Sequence, residues 1–138
     1  QINHSFTNDA GTVRGMHYQL PPFAEIKLLR CIAGAVFDVV VDLREGSATR
    51  LEWFGVELSS VNQKMLYIPE GFAHGFQSLQ QGTELIYHHS AVYMPGSEGG
   101  LRFDDPLLKI TWPAPVKLVS ARDRQHPLLD LTFTGIKL

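Results

Sequence analysis

The chain has 138 residues, room for one domain with a real core and hardly for two. Hydrophobic residues make up 44% and charged residues 19%, an ordinary balance for a soluble domain, and no apolar run approaches the roughly 20 residues of a membrane-spanning helix. The formal net charge of -2 lacks the basic excess that non-specific nucleic-acid binding needs, although a local basic pocket for a phosphate stays open.

Gln1 to Asp9 is a polar opening, and Ala10-Gly11 reads as a turn. Thr12 to Gln19 reads as a strand, ended by Leu20-Pro21-Pro22, because proline donates no ladder hydrogen bond. Ile26 to Ala33 and Ala35 to Leu43 are β-rich runs on either side of Gly34, the pattern of a hairpin. In the second run Phe37, Val39, Val41 and Leu43 share one face, and Asp38, Val40 and Asp42 the other. Glu52 to Leu58 and Met65 to Ile68 are further strands, and Pro69-Glu70-Gly71 is a turn. Ala73 to Leu79 and Glu84 to Tyr93 read as strands joined through Gln81-Gly82. Met94 to Gly100 reads as a loop, and the proline-rich tail ends in a β-like segment, Leu131 to Thr134. Nothing has sustained helical periodicity. Many short strands at close spacing predict one all-β domain over residues 1–138, a sandwich or barrel with few or no helices. Such a vessel offers its mouth or interior to a ligand.

The single cysteine, Cys31, lies in an apolar run and reads as a small buried hydrophobe rather than a nucleophile. A lone cysteine cannot form an internal disulfide, so a reducing, cytoplasmic setting is expected. No signal peptide is visible. The chain opens without methionine, in a stretch that reads as structured, which points to an upstream segment.

Histidines carry the candidate chemistry. Alternation puts His17 and Gln19 on one face of their strand and Arg14, Met16 and Tyr18 on the other. His17 is a candidate general base, against the plainer reading of a packed strand histidine. Pro69-Glu70-Gly71-Phe72-Ala73-His74-Gly75-Phe76 is a turn feeding a strand with His74 near its start. It resembles the second motif of cupins, where such a histidine often binds a metal, but Ser78 stands where that motif has asparagine. With Glu25, His17 and His74 could make a metal site, although Gln19 replaces a better ligand. Tyr87, His89 and Tyr93 share one face of an unbroken strand, as packing residues or, for a tyrosine across a cavity from a histidine, as a proton donor. Lys27 is either a strand-end lysine with its head in water or a cation for a developing oxyanion. Asp123 is either a turn residue or the orienter of His17. His88 and His89 point to opposite faces, and His126, beside Pro127, reads as a surface residue.

Seven stretches together resemble the dTDP-4-dehydrorhamnose 3,5-epimerase family of cupin-type nucleotide-sugar epimerases. They are Arg14-Gly15-Met16-His17-Tyr18-Gln19, Lys27-Leu28-Leu29-Arg30-Cys31, Asp38-Val39-Val40-Val41-Asp42-Leu43-Arg44, Ile68 through Phe76, Asp104-Asp105-Pro106, Ile110-Thr111-Trp112-Pro113 and Ser120-Ala121-Arg122-Asp123. They run in family order to about Leu129. The resemblance implies a jelly-roll barrel, usually a homodimer, with no metal and no organic cofactor. It implies His17 as base, Asp123 as its partner, Tyr87 as proton donor and Lys27 beside the oxyanion. It implies substrate contacts at Gln1, Asn3, Arg14, Lys27, His74, Tyr93 and Glu98. Arg122 stands where the family has lysine and, with Arg14, is a candidate for the diphosphate. Family members carry roughly forty further residues ahead of this start, by analogy with the fold, including an arginine and a glutamate used for substrate.

The implied substrate is a nucleoside-diphospho-4-keto-6-deoxyhexose. Its ketone acidifies the protons on C3 and C5, so a base, a cation near the carbonyl oxygen and an acid on the opposite ring face suffice. The family uses both Arg14 and His17, which alternation separates; a bulge near Gly15 would reconcile them. The rivals are a metal-dependent cupin using His17, Glu25 and His74, and a sugar-nucleotide binding module without chemistry.

Overall fold

The computed structural model describes residues 1–138 and consists of two facing sheets. The first has the order β1 (Ile2–Thr7), β8 (Thr83–His89), β3 (Lys27–Ala33) and β6 (Met65–Ile68), all antiparallel. The second has the order β10 (Leu118–Val119), β2 (Thr12–Gln19), β7 (Phe72–Ser78), β4 (Ala35–Asp42) and β5 (Trp53–Ser59), and β9 (Glu98–Gly100) pairs with the far part of β2. Helix is confined to one 3₁₀ turn, Pro95–Ser97, and the four-residue α1, Ala121–Arg124. The all-β jelly-roll expectation holds.

Strand β4 shows why the sheets stack as they do. Its alternation supplies two apolar faces, and both are covered. Val36 and Val40 point between the sheets and join Leu29, Cys31, Leu58, Ile68, Phe76 and Leu85 in the inner core. Val39 and Val41 point the other way and pack with Leu43, Met16, Ala73, Leu101, Leu108 and Ile136. The residues past β9 supply Leu101, Leu108, Trp112, Phe133 and Ile136, so the tail closes the back of the second sheet. Each fully buried aliphatic side chain contributes about 1.5–3 kcal/mol. With its back sealed, the second sheet keeps its inner face for the cavity.

Four expectations about elements need correction. Met94 to Gly100 is not a plain loop, because Glu98–Gly100 pairs with His17 to Gln19 as β9 after the 3₁₀ turn. Gln1 to Asp9 contains a strand, β1, in which Asn3, Ser5 and Thr7 alternate with Ile2, His4 and Phe6. Asn3 and Ser5 line a cavity rather than a core, so the strand has no apolar inner face to betray it. Strand β8 ends at His89, short of Tyr93, because Ser90 turns back to Ile26: its N–H donates to the Ile26 carbonyl and its Oγ accepts from the Ile26 N–H. Tyr93 therefore does not share a strand face with Tyr87. Leu131 to Thr134 is not β; both the N–H and the hydroxyl of Thr132 donate to Asp130 Oδ1 and hold a turn.

Candidate active site

The site begins with an irregularity in β2. Arg14 pairs with Phe76 and His17 with His74, so three steps on β2 match two on β7. This is a β-bulge, and it puts Arg14 and His17 on the same cavity despite their odd spacing. Gly15 sits inside it with φ 120°, and a Cβ there would lie 2.6 Å from Gly75 Cα and 2.8 Å from the His74 carbonyl oxygen. The bulge also frees the Gly15 N–H from the ladder, and it donates to Asp123 Oδ2 at 3.2 Å.

Asp123 joins the bulge to His17. Its Oδ1 lies 2.7 Å from His17 Nε2. Ser120 caps α1, its Oγ accepting from the Asp123 N–H at 3.0 Å, which fixes where the carboxylate stands. Burial alone would raise the Asp123 pKa, but the hydrogen bond and charge of His17, then the Gly15 N–H and Ser120, outweigh it and hold it at about 2. An ionised carboxylate accepts, so His17 Nε2 carries the hydrogen and Nδ1 is the nitrogen able to take a proton.

That depressed pKa has a stability consequence. A carboxyl that is more acidic folded than unfolded stabilises the fold above its unfolded pKa near 4, and loses that contribution as pH falls toward about 2. Denaturant titrations of the wild type and Asp123→Asn should therefore differ most above about pH 4. The gap should narrow between about pH 4 and 2; a gap constant with pH would contradict the ionised dyad.

The facing sheet supplies the opposite wall: Asn3 and Ser5 from β1, Lys27 from β3, and Tyr87 and His89 from β8. With Arg14, His17 and His74 these surround a cavity of about 470 Å³. Burial, then the charge of Asp38, pushes the Tyr87 hydroxyl well above the ordinary phenol range, so it stays protonated and has a proton to give. Lys27 is 7% exposed, which removes the reading of a strand-end lysine with its head in water. Its Nζ lies 3.3 Å from Glu25 Oε1 and 3.5 Å from the His17 carbonyl oxygen. Glu25 also bonds His89 Nδ1 at 2.8 Å; burial would raise its pKa, but His89 and Lys27 lower it. His74 turns its Nε2 to Asp38, 2.9 and 3.1 Å from the two carboxylate oxygens, and its ring meets Tyr87 edge-on at 5.9 Å. Complete burial raises the Asp38 pKa against the opposing pull of His74.

Other sequence candidates extend beyond this cavity, and Arg14 links the two regions. Arg14 donates to Thr7 Oγ1 and the Phe6 carbonyl oxygen, each at 3.2 Å, and with Arg122, His17 and Asp123 lines an adjoining recess of about 510 Å³. Gln1 donates from Nε2 to Asn3 Oδ1 at 2.8 Å, and its Oε1 accepts from the Tyr93 N–H at 3.0 Å. The Tyr93 hydroxyl donates to Glu98 at 2.9 Å, and Glu98 is ion-paired with Arg122. The candidates thus form two groups: His17, Lys27, His74, Tyr87, Asn3 and Arg14 at the cavity, and Gln1, Tyr93, Glu98 and Arg122 in a chain of polar contacts.

The ligand set His17, Glu25 and His74 is not assembled. Glu25 is committed to Lys27 and His89, and His74 to Asp38. The His, Cys, Asp and Glu side chains whose ligand atoms converge within 4.8 Å are His17, Asp123 and His126. His126 is therefore no surface residue: its ring stands edge-to-face with His17 at 5.6 Å, and its Nε2 lies 3.5 Å from Asp123 Oδ1. Gln19, weighed above as a weak ligand, is structural. It accepts from the Met94 N–H and donates to the carbonyls of Phe23 and Val92. Asp38 was missed as a site residue. Its signal was a carboxylate on the inner face of the apolar run Val36 to Val41, which burial obliges to find a partner.

The sequence profile of the dTDP-4-dehydrorhamnose 3,5-epimerase family matches residues 1–130. The chain belongs to that family. Relatives of this epimerase-family chain include the dTDP-4-dehydrorhamnose 3,5-epimerase of Sinorhizobium fredii, 46% identical over all of this chain and 73% of its own length. The dTDP-4-dehydrorhamnose 3-epimerase of Streptomyces niveus is 43% identical over 86% of this chain and 58% of its own length. Among solved structures, dTDP-6-deoxy-D-glucose-3,5-epimerase from Legionella pneumophila, in complex with dTDP-4-keto-L-rhamnose, superposes with a TM-score of 0.88. It is 41% identical, over 96% of this chain and 70% of that one. The chain spans from about three fifths to three quarters of the length of these epimerases.

Proposed function

We propose that this chain is the cofactor-independent epimerase domain of a nucleotide-sugar isomerase, acting on a dTDP-4-keto-6-deoxyhexose at C3, with or without C5. The observation that carries the reading is that His17 and Tyr87 come from opposite sheets and line one cavity, with the Lys27 head buried nearby. A relative was solved with dTDP-4-keto-L-rhamnose bound, which supports the substrate class.

In this mechanism His17 Nδ1 removes a proton next to the C4 ketone, and Asp123 stabilises the imidazolium that results. The electron pair moves onto the C4 oxygen, and the Lys27 ammonium stabilises that enolate. The Tyr87 hydroxyl then returns a proton to the carbon from the opposite face, which inverts the centre. Arg14 and Arg122 are the cations for the diphosphate, where planar forked donors suit the acceptor. Incubation with dTDP-4-keto-6-deoxyglucose should yield a sugar inverted at C3 or at both C3 and C5. Recovery of unaltered substrate would overturn the reading.

Removing the Tyr87 hydroxyl separates the two half-reactions. Tyr87→Phe should keep proton abstraction within a few-fold while product formation falls by about 10²–10⁴. Solvent deuterium incorporation into substrate, measured beside product formation, checks this. Equal loss of both would remove Tyr87 from reprotonation.

The chain is also proposed to pair with a second copy through the outer face of the first sheet. The register places Ile2, His88, Leu28 and Tyr67 in one row and His4, Ile86, Arg30 and Met65 in the next. Ile2, Phe6, Met65 and Tyr67 are each about half exposed or more, an apolar face that monomers rarely show. Light scattering should give twice the chain mass, and Tyr67→Glu the single mass.

A further inference from the structure

We propose that His17, Asp123 and His126 form a binding site for a divalent transition ion of the Zn²⁺ type, a site that closes the enzyme rather than serving its reaction. Two imidazoles and a carboxylate are a ligand set that zinc favours, with the fourth position left to water. One ligand atom from each of His17, Asp123 and His126 lies within 4.8 Å of the other two. Ligand atoms around a tetrahedral zinc stand about 3.3 Å apart, given bonds of about 2.0–2.1 Å. The His126–Asp123 separation, 3.5 Å, already meets that spacing. The His17–Asp123 pair has to open from its hydrogen-bonded 2.7 Å, and His17 gives up its Nε2 proton and takes one on Nδ1 as the ion enters, so that it binds as a neutral imidazole with its base nitrogen occupied.

Two further observations point to a built position. His126 Nε2 is buried and makes no hydrogen bond, although its ring is packed in place. Gly100 makes room for that ring: a Cβ there would lie 2.2 Å from His126 Cε1. The backbone of β9 thus seats an imidazole whose free nitrogen has no protein partner beyond the shared carboxylate. His17 and Asp123 also line the recess that adjoins the cavity.

An ion here takes the Asp123 carboxylate from His17 and fixes the imidazole, so the base can no longer cycle its proton. That consequence rests on the proposed role of His17; the binding itself does not. His126 has no part in the proton-transfer steps, so His126→Asn should leave basal turnover unchanged. Calorimetric titration of Zn²⁺ into the full chain at neutral pH should show one equivalent bound, with turnover falling in parallel. His126→Asn should weaken binding by at least about 10–100-fold, the range that loss of even an outer ligand partner produces, and should relieve the inhibition. Circular dichroism checks that the variant is folded, and His17→Asn, which removes a different ligand, should weaken binding similarly. No binding by the wild type, or unchanged affinity in His126→Asn, would overturn the proposal. Binding through His126 that leaves turnover intact would keep the metal site and remove His17 as the base.

Discussion

Replacing His17 by alanine should lower epimerisation by about 10²–10⁴-fold, the usual contribution of a positioned general base. The loss should appear in kcat, because the imidazole changes its charge during the reaction rather than on substrate binding. The fold should survive. The His17 side chain is 31% exposed and belongs to neither apolar core. Its removal leaves Asp123 with the Gly15 N–H, so the carboxylate loses its strongest partner but not its only one. Turnover with dTDP-4-keto-6-deoxyglucose, measured beside thermal unfolding, separates the two effects. A folded alanine variant that turns over within a few-fold of wild type would end the assignment.

Lys27→Met should lower kcat by about 10²–10³, the cost of losing one donor to an oxyanion. Methionine keeps most of the unbranched stem and removes the ammonium. The charge matters most when the C4 oxygen becomes an enolate, so kcat should fall more than KM rises. The position is buried and shared with Glu25, whose other oxygen remains bonded to His89. A moderate loss of stability should therefore accompany the loss of activity. A change in KM alone would make Lys27 a binding residue rather than a transition-state one.

The fold was readable where alternation met apolar residues on both sides, as in β4, whose two faces were assigned correctly from sequence. It was hidden where a strand faces a cavity: β1 presents Asn3, Ser5 and Thr7 inward, and polar alternation resembles a loop. The bulge at Gly15 was legible only as a conflict, since Arg14 and His17 could not both face one cavity on a regular strand. Of the pairings distant in sequence, His17 with Asp123 was reached through the family resemblance, and others were not legible. Asp38 reaches His74 across neighbouring strands, Glu25 reaches His89 across the first sheet's edge loop, and His126 reaches His17 through the turn after α1. Each joins groups more than 30 residues apart, and only the sheet register decides which of them meet. Tyr93 was misplaced for a related reason. The Ser90–Ile26 exchange that ends β8 is a tertiary contact, and nothing local in Glu84 to Tyr93 announces it.

Proton NMR of dTDP-4-keto-6-deoxyglucose in deuterated water with this chain tests the opposed acid and base most directly. Deuterium should enter at the carbon or carbons that invert, His17→Ala should slow that exchange by about 10²–10⁴-fold, and no carbon should invert without taking up solvent hydrogen. Inversion at C3 with the original proton retained, or exchange in His17→Ala within a few-fold of the wild-type rate, would contradict the opposed acid and base.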